Sequence, residues 1–324
     1  MNDKAIQCIY DVSPDGTKPV SSASNPSSQA APELGYRWVN INRSEGDKNA
    51  ALKSLGNLDP LVIDELLSPE TRPRTSVFDG GLLVNLRAVN YKPGAEPEGL
   101  LALHMWLTPS LVITVTDEPL NAIQEIRSDF EKGMAPKTSL EFLAALAHRI
   151  TDHLAPVINE LAERLDDLEE RSLASDVAAL RHELVPLRRE AITLRRYVAP
   201  QREALMRLST EPIAIADEAQ RLRLREAANE TTLFVEELDL VRERASLLNE
   251  LVYDRRADEM NRTMVVLAVV TVIFLPLNLL VGLLGMNVQG IPYAREPWAF
   301  AGVCIVTAVL AASGLWLFRR LKWI

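Results

Sequence analysis

The chain has 324 residues and a formal net charge of −9 at neutral pH. This acidic balance argues against a nucleic-acid partner and is compatible with attraction of cations. Two cysteines, Cys8 and Cys304, stand far apart in the sequence and do not indicate a disulfide framework. The sequence up to residue 262 is polar and charged, whereas nearly all the apolar sequence of membrane length follows it.

The N-terminal part has the pattern of a strand-rich domain. Residues 12–35 are rich in serine, proline and alanine, which predicts a flexible segment. Alternating polarity and β-branched residues predict a helix at 59–68 and strands at 37–42, 81–91, 100–108 and 110–117. We therefore expect an α+β domain over residues 1–138. The chain start lacks the pattern of a signal peptide, so we expect this domain to be cytoplasmic.

Helical periodicity replaces the strand pattern from Ser139 onward. Apolar residues at spacings of three and four predict helices at 139–172 and 176–209. We expect the prolines inside them to kink or divide these helices; they are Pro156, Pro186 and Pro200. No glycine or proline occurs from Ile213 to Leu275, which predicts a long stalk helix that continues into the membrane. Residues 139–262 are assigned to this helical region.

Two charge-free runs follow, at 263–284 and 298–318, and each is long enough to cross a bilayer as a helix. A short polar loop at 285–297 joins them, and a basic tail at 319–324 follows them. Basic residues flank the outer ends of the pair, whereas the loop carries a single arginine beside a glutamate. The positive-inside rule therefore predicts that both termini are cytoplasmic and that the loop is outside.

A stripe that includes amide and hydroxyl side chains runs along the first membrane-length run. Its members recur at intervals of three or four and so share one helix face: Asn261, Met264, Ala268, Thr271, Leu275 and Asn278. An amide or hydroxyl facing lipid is unfavourable, so the stripe is expected to face protein or water. In one interpretation, copies of the helix surround a channel with polar rings and apolar constrictions. In the other, the polar residues hydrogen-bond neighbouring helices, and the stripe alone leaves both open.

The tripeptide Gly285-Met286-Asn287 ends the first run. Gly285 would allow the chain to leave the helix with unusual backbone angles, and Asn287 would present a carboxamide oxygen. Small divalent cations shed water reluctantly, so a ring of neutral oxygens can bind one through its hydration shell. We therefore predict that this tip of the hairpin meets a cation and that Asn287 contacts it through water.

Together these features resemble the CorA-type metal-ion transporters, whose signature is a Gly-Met-Asn at the end of the first of two C-terminal spans. The resemblance covers nearly the whole chain and includes Pro276 and the basic end FRRLKWI. The segments ETRPRTS at 70–76, RRYVAPQR at 195–202 and GIP at 290–292 resemble the zinc-transporting ZntB branch of that family. That branch frequently varies the middle residue of the tripeptide, whereas this chain keeps Met286.

The resemblance implies a CorA-like homopentameric funnel in the bacterial inner membrane, with five stalk helices around one pore. It implies transport of divalent cations, with zinc favoured, by passive or proton-coupled movement. Gly285, Met286 and Asn287 would form the outer selectivity ring. The implied pore-lining residues are Asn261, Met264, Thr271, Leu275 and Asn278. We expect no enzyme activity and no resident cofactor; the expected partners are copies of the chain, membrane lipid and the transported cation.

Two alternatives stay open. The intact tripeptide also fits a magnesium or cobalt channel of the same family, and at Leu275 and Asn278 the magnesium-type relatives often carry other residues. A membrane-anchored sensor or scaffold would use the two spans only as an anchor. An anchor has no need of polar residues on one face, so the stripe argues against this second alternative.

Cytosolic metal or anion sites are weaker candidates. His148 and Asp152 have the i, i+4 spacing that could share an ion, with His153 beside them. His182 and Glu183 follow on the next predicted helix, and solvated helix faces explain all of these residues more simply. Arg72 and Arg74 could bind an anion, although a turn held by local hydrogen bonds is the simpler interpretation.

Overall fold

The computed structural model divides into two compact units, residues 1–248 and residues 249–324. The residues that it describes are 5–13, 16–20, 35–56, 58–69, 72–78, 80–90, 99–174, 177–210, 218–286 and 296–320.

The first unit is built on a seven-stranded sheet. Its strands are β1 (Ile6–Ser13), β2 (Gly16–Pro19), β3 (Tyr36–Asn42), β4 (Arg74–Phe78), β5 (Gly81–Ala88), β6 (Leu101–Leu107) and β7 (Leu111–Thr116). They lie in the order β2-β1-β3-β7-β6-β5-β4. β3 and β7 pair in parallel, and the other neighbouring pairs among these strands are antiparallel. Strand pairs of both kinds make this a mixed sheet.

Helices cover both faces of the sheet. The helices of the chain are α1 (Lys48–Ser54), α2 (Pro60–Leu67), α3 (Asn121–Glu131), α4 (Ser139–Ala174), α5 (Val177–Thr210), α6 (Glu218–Leu284) and α7 (Ala299–Arg320). Buried residues of α1 and α2 pack on one face of the sheet. Residues of α3, α4, α5 and the start of α6 pack on the other face. The result is a sheet that is buried on both sides.

Aromatic side chains form the centre of the larger core. Trp38 of β3 is fully buried, and its ring centroid lies 4.7 Å from that of Phe130 and 5.1 Å from that of Phe142. Its indole Nε1–H donates a hydrogen bond of 3.0 Å to Thr114 Oγ1 on the neighbouring strand. The indole therefore buries a large apolar surface without leaving its polar group unpaired.

Most sequence predictions of regular structure are confirmed. The four predicted strands correspond to β3, β5, β6 and β7, the helix at 59–68 to α2, and the long helical stretches to α4, α5 and α6. The prediction of a flexible segment at 12–35 is wrong at its start, because β2 lies at Gly16–Pro19; residues 21–34 lie outside the described part. The turn expected around Arg72 and Arg74 is wrong as well, because Arg74 begins β4.

The prolines of α4 and α5 do not divide these helices. Pro156 lies inside α4, and Pro186 and Pro200 lie inside α5. A proline removes one backbone hydrogen bond, but each of these has a buried neighbour within one residue: Val157, Leu187 and Gln201. Packing against the rest of the unit therefore holds both helices together across the interruption.

Two of the segments that resemble the zinc-transporting branch each contribute contacts that attach α5 to the edge of the sheet. Thr75 Oγ1 of β4 donates to the Ala204 carbonyl of α5 at 3.4 Å. The Arg87 backbone N–H donates to Gln201 Oε1 at 2.7 Å, and the Arg87 guanidinium lies 4.7 Å from the centre of the Tyr197 ring. Gln201 is 1% exposed. These residues of ETRPRTS and RRYVAPQR thus dock one helix on two strands.

We expect Gln201→Leu to destabilise the first unit by about 1–3 kcal/mol, because the part-buried Arg87 N–H would lose its acceptor, the buried side-chain oxygen of Gln201. Urea unfolding of the detergent-solubilised protein, followed by tryptophan fluorescence, measures the change. The matched control is Gln124→Leu on the exposed side of α3, which should shift stability by less than about 0.5 kcal/mol. Equal stability of the two variants would contradict the docking role.

Candidate ion pathway

The described part of the second unit consists of the end of α6 and of α7. Both helices are long and apolar enough to cross a membrane, and at most 6% of their most apolar stretches is buried within the chain. This agrees with the two predicted membrane runs. The limits of α6 and α7 differ from the predicted ends by no more than a few residues.

α7 presents a face of mostly small residues to α6. The less exposed positions of α7 recur at helical spacing and are Ala299, Gly302, Val303, Thr307, Ala311, Gly314 and Phe318. A Cβ added at Gly314 would lie 3.2 Å from Ile273 Cγ1 of α6, so the glycine lets the two helices approach closely. The corresponding face of α6 holds Val265, Val269, Ile273, Leu277 and Leu280, of which Val269 is 5% exposed. The pair therefore packs through apolar and small side chains.

The predicted stripe lies on the other side of α6. All of its members are exposed within the unit: Asn261, Met264, Ala268, Thr271, Leu275 and Asn278. At 100° per residue, the centre of the stripe is turned by about 150° from the centre of the face that packs on α7. The neighbouring helix of the same chain therefore does not cover the polar residues.

Two acceptor oxygens, one from a side chain and one from the backbone, lie on or next to the stripe. Thr271 Oγ1 donates to the Leu267 carbonyl at 2.8 Å, so its proton is used within its own helix and its lone pairs stay available. Pro276 lies inside α6 and has no N–H, so the Val272 carbonyl four residues earlier lacks its helical donor. A hydroxyl oxygen and a carbonyl oxygen thus occur at consecutive positions, and both can accept a hydrogen bond or approach a cation.

The tripeptide is described only in part. The Gly285 N–H donates to the Val281 carbonyl at 2.9 Å, which continues the helical pattern for one more residue. The expectation of unusual backbone angles at Gly285 is wrong, because its φ is not positive. A Cβ at this position would lie 3.0 Å from the Val281 oxygen, so close approach is the constraint here. Met286 is 48% exposed, and Asn287 lies outside the described residues.

The candidate metal ligands of the first unit separate into distinct groups. His148 Nδ1 and Asp152 Oδ1 are 3.6 Å apart on α4, and Glu230 of α6 lies beside them. His153 does not join them, because its Nε2 lies 2.9 Å from Glu125 Oε1. The i, i+4 spacing made the first pair a weak candidate in the sequence, and Glu230 was missed because the fold brings it in from a distant part of the chain.

His182 and Glu183 line a cavity of about 510 Å³ between α4 and α5. Arg171 donates to Glu183 at 2.7 and 2.9 Å and to Asp167 at 3.1 Å. Hydrogen bonding to this guanidinium lowers the pKa of Glu183. The carboxylates are therefore already neutralised by a cationic side chain, which argues against a metal at this place.

Arg74 does not contribute to an anion site, because its guanidinium pairs with Glu65 of α2. Arg72 is exposed just before β4. Arg74 thus links the start of β4 to α2.

Comparison with known proteins relates the whole chain to one transporter family. The family model described as CorA-like Mg2+ transporter protein matches residues 33–320. The divalent cation transporter CmaX of Pseudomonas aeruginosa is 38% identical over 291 residues, which cover 89% of this chain and 87% of that protein. The zinc transport protein ZntB of Pectobacterium carotovorum is 32% identical over 263 residues, which cover 81% and 80% of the two chains.

Solved structures show the same architecture. The structure of full-length CmaX superposes with a TM-score of 0.85 at 34% identity and covers 100% of this chain and 99% of that chain. The CorA magnesium transporter of Methanocaldococcus jannaschii superposes with a TM-score of 0.81 at 18% identity, over 98% of both chains, which is a likeness of fold. The chain belongs to the CorA-like Mg2+ transporter family.

Proposed function

We propose that this protein carries divalent cations, zinc foremost, across the bacterial inner membrane along the stripe of α6. The observation that carries the proposal is the exposure of Asn261, Thr271 and Asn278 on the face turned away from α7. In a bilayer, uncharged polar side chains on such a face need protein or water beside them. A water-filled pathway lined by several copies of α6 would place water beside these side chains, and their oxygens could then contact a passing cation.

The same helix also carries an exposed apolar surface that is suited to self-association. Leu233, Leu240 and Leu247 of α6 are 62%, 47% and 54% exposed, and they recur every seven residues along a charged helix. Exposed leucines at this spacing are typical of helices that pack on further helices. A homopentamer, as the resemblance to the CorA-type transporters implies, would bring five stripes around one axis. Both termini would be cytoplasmic, and the loop at 285–297 would lie outside.

The chemistry along such a path suits a hydrated divalent cation. The stripe offers neutral carboxamide and hydroxyl oxygens, and the carbonyl of Val272 adds another acceptor next to Thr271. Met264 and Leu275 would narrow the path between the polar rings and could close it by excluding water. Asn287, with Gly285 and Met286, would form the outer entrance and contact the ion through its hydration shell.

The choice of zinc is supported by the names of relatives, ZntB among them, and by three sequence segments. Two of these segments dock α5 on the sheet through Thr75, Tyr197 and Gln201, which is a structural task. Magnesium is the second candidate, because the family model and the M. jannaschii relative carry that name and the tripeptide is intact. Proton-coupled uptake is proposed as the mode of movement.

Flux into proteoliposomes that contain the purified protein tests this function. We expect zinc uptake that exceeds magnesium uptake and rises when the outside is made more acidic than the lumen. The two cation gradients and the pH gradient are set independently, and protein-free liposomes serve as the control. Magnesium flux without zinc flux would show that magnesium, not zinc, is the transported ion. Zinc flux that is insensitive to the pH gradient would contradict proton coupling. No flux of either ion would favour a membrane-anchored sensor.

Thr271→Val tests the stripe against a closely matched control. Both Thr271 and Thr307 donate to a carbonyl four residues earlier in their own helix, at 2.8 and 3.0 Å. Thr271 is exposed on the stripe, whereas Thr307 lies on the face of α7 that packs on α6. We expect Thr271→Val to lower zinc flux by about tenfold, the equivalent of one lost hydrogen bond to the passing ion's water shell. Thr307→Val should transport normally, and the reverse order would contradict the pathway.

A further inference from the structure

Three metal-ligating side chains meet within the first unit. His148 and Asp152 lie one turn apart on α4, and Glu230 projects from α6. One ligand atom from each residue lies within 4.8 Å of the other two. The ligands therefore come from two separate helices, which only the folded unit brings together.

The spacing of these atoms is close to that of a zinc site. Zinc bonds to nitrogen and oxygen are about 2.0–2.2 Å long, so two ligand atoms of a tetrahedral site are about 3.4 Å apart. His148 Nδ1 and Asp152 Oδ1 are already 3.6 Å apart. The ligand atom of Glu230 lies within 4.8 Å of both, and its side chain is only partly buried, which leaves room for it to adjust around an ion.

The backbone that carries the three ligands is firmly packed. Thr151 and Thr231, which adjoin Asp152 and Glu230 in the sequence, are both fully buried. Their hydroxyls donate to the Ala147 and Ala227 carbonyls of their own helices at 2.9 and 2.6 Å. The helices thus present the ligands from fixed positions, and only side chains have to move when a metal binds.

Among the described residues, no lysine or arginine pairs with Asp152 or Glu230, although other carboxylates of α4 are paired with arginine, such as Asp166 and Glu169 with Arg244. Two carboxylates that face each other repel, and a bound cation removes that repulsion. The imidazole of His148 adds a nitrogen ligand to these oxygens.

We propose that His148, Asp152 and Glu230 bind one zinc-class cation, with water in the fourth position, and that the cation bridges α4 and α6. Imidazole suits zinc, cobalt and nickel, whereas magnesium and calcium prefer an all-oxygen shell. The site would therefore hold zinc in the presence of magnesium. It is a binding site in the first unit and does not depend on the proposed transport along α6.

Titration of the full-length protein in detergent with zinc ions, against a competing chelator dye, tests the site. We expect His148→Ala and Glu230→Gln each to weaken one zinc site per chain by at least about tenfold. His153→Ala is the matched control, because His153 is the next histidine of α4 and lies against Glu125 instead. The control should bind zinc as the unaltered protein does, and unchanged binding in all three variants would overturn the site.

Cobalt substitution identifies the ligand directly. In His148→Cys, a thiolate replaces the imidazole, and cobalt bound there should produce a thiolate-to-cobalt charge-transfer band. The unaltered protein should lack this band, although it holds Cys8 and Cys304. Magnesium in excess should not suppress the band, whereas zinc should. A band absent from His148→Cys, or suppressed by magnesium, would overturn the proposal while leaving the flux measurements unaffected.

Discussion

The organisation of the membrane-length helices follows from one constraint, the cost of leaving an uncharged polar side chain in hydrocarbon without a partner. α7 covers only one face of α6, and its small residues determine which face that is. At Gly314 the helices approach so closely that a Cβ would lie 3.2 Å from Ile273. The stripe with Asn261, Thr271 and Asn278 is therefore left for water or for further copies of the chain. An oligomer in which the stripes of several copies face one another would give these polar side chains protein or water as neighbours. The exposed leucines of α6 offer a surface through which copies could associate.

Two kinds of cation chemistry can be distinguished in this protein. The stripe offers neutral oxygens, which bind an ion weakly through its water shell and suit passage. His148, Asp152 and Glu230 offer a nitrogen and two carboxylates within 4.8 Å, which suit retention of a single dehydrated ion. Selection of a borderline metal over magnesium is easier to explain at the second site, because carbonyl and amide oxygens alone do not favour zinc.

Much of the fold could be predicted from the sequence because its longest elements carry strong periodic signals. The long helices and the two membrane runs were predicted within a few residues, and so were four strands. β1 was not predicted, and one reason is that Asp11 interrupts its apolar pattern. Only the fold shows that Arg37 of β3 pairs with this carboxylate, with Arg37 Nε 2.6 Å from Asp11 Oδ1. The prolines in α4 and α5 do not divide those helices, since tertiary packing holds each helix together.

The candidate sites were predictable to different degrees. The stripe could be found from spacing alone, because all of its members lie on one helix. Its relation to α7 could not, because that depends on which faces of two helices pack. Glu230 could not be predicted for a similar reason, since nothing in the local sequence links it to His148. Asn287 lies outside the described residues, and its role at the entrance rests on the sequence.

Water accessibility of the stripe is the most direct test of the central claim that α6 lines an ion pathway. Single cysteines would be introduced at Met264 and Leu275, and at Val269 on the face packed against α7, after Cys8 and Cys304 are replaced by alanine. We expect a charged, water-soluble thiol reagent to label Met264→Cys and Leu275→Cys in membranes and to block their zinc flux, while Val269→Cys stays unlabelled. Labelling of Val269→Cys alone, or full flux after labelling of the stripe, would contradict the pathway.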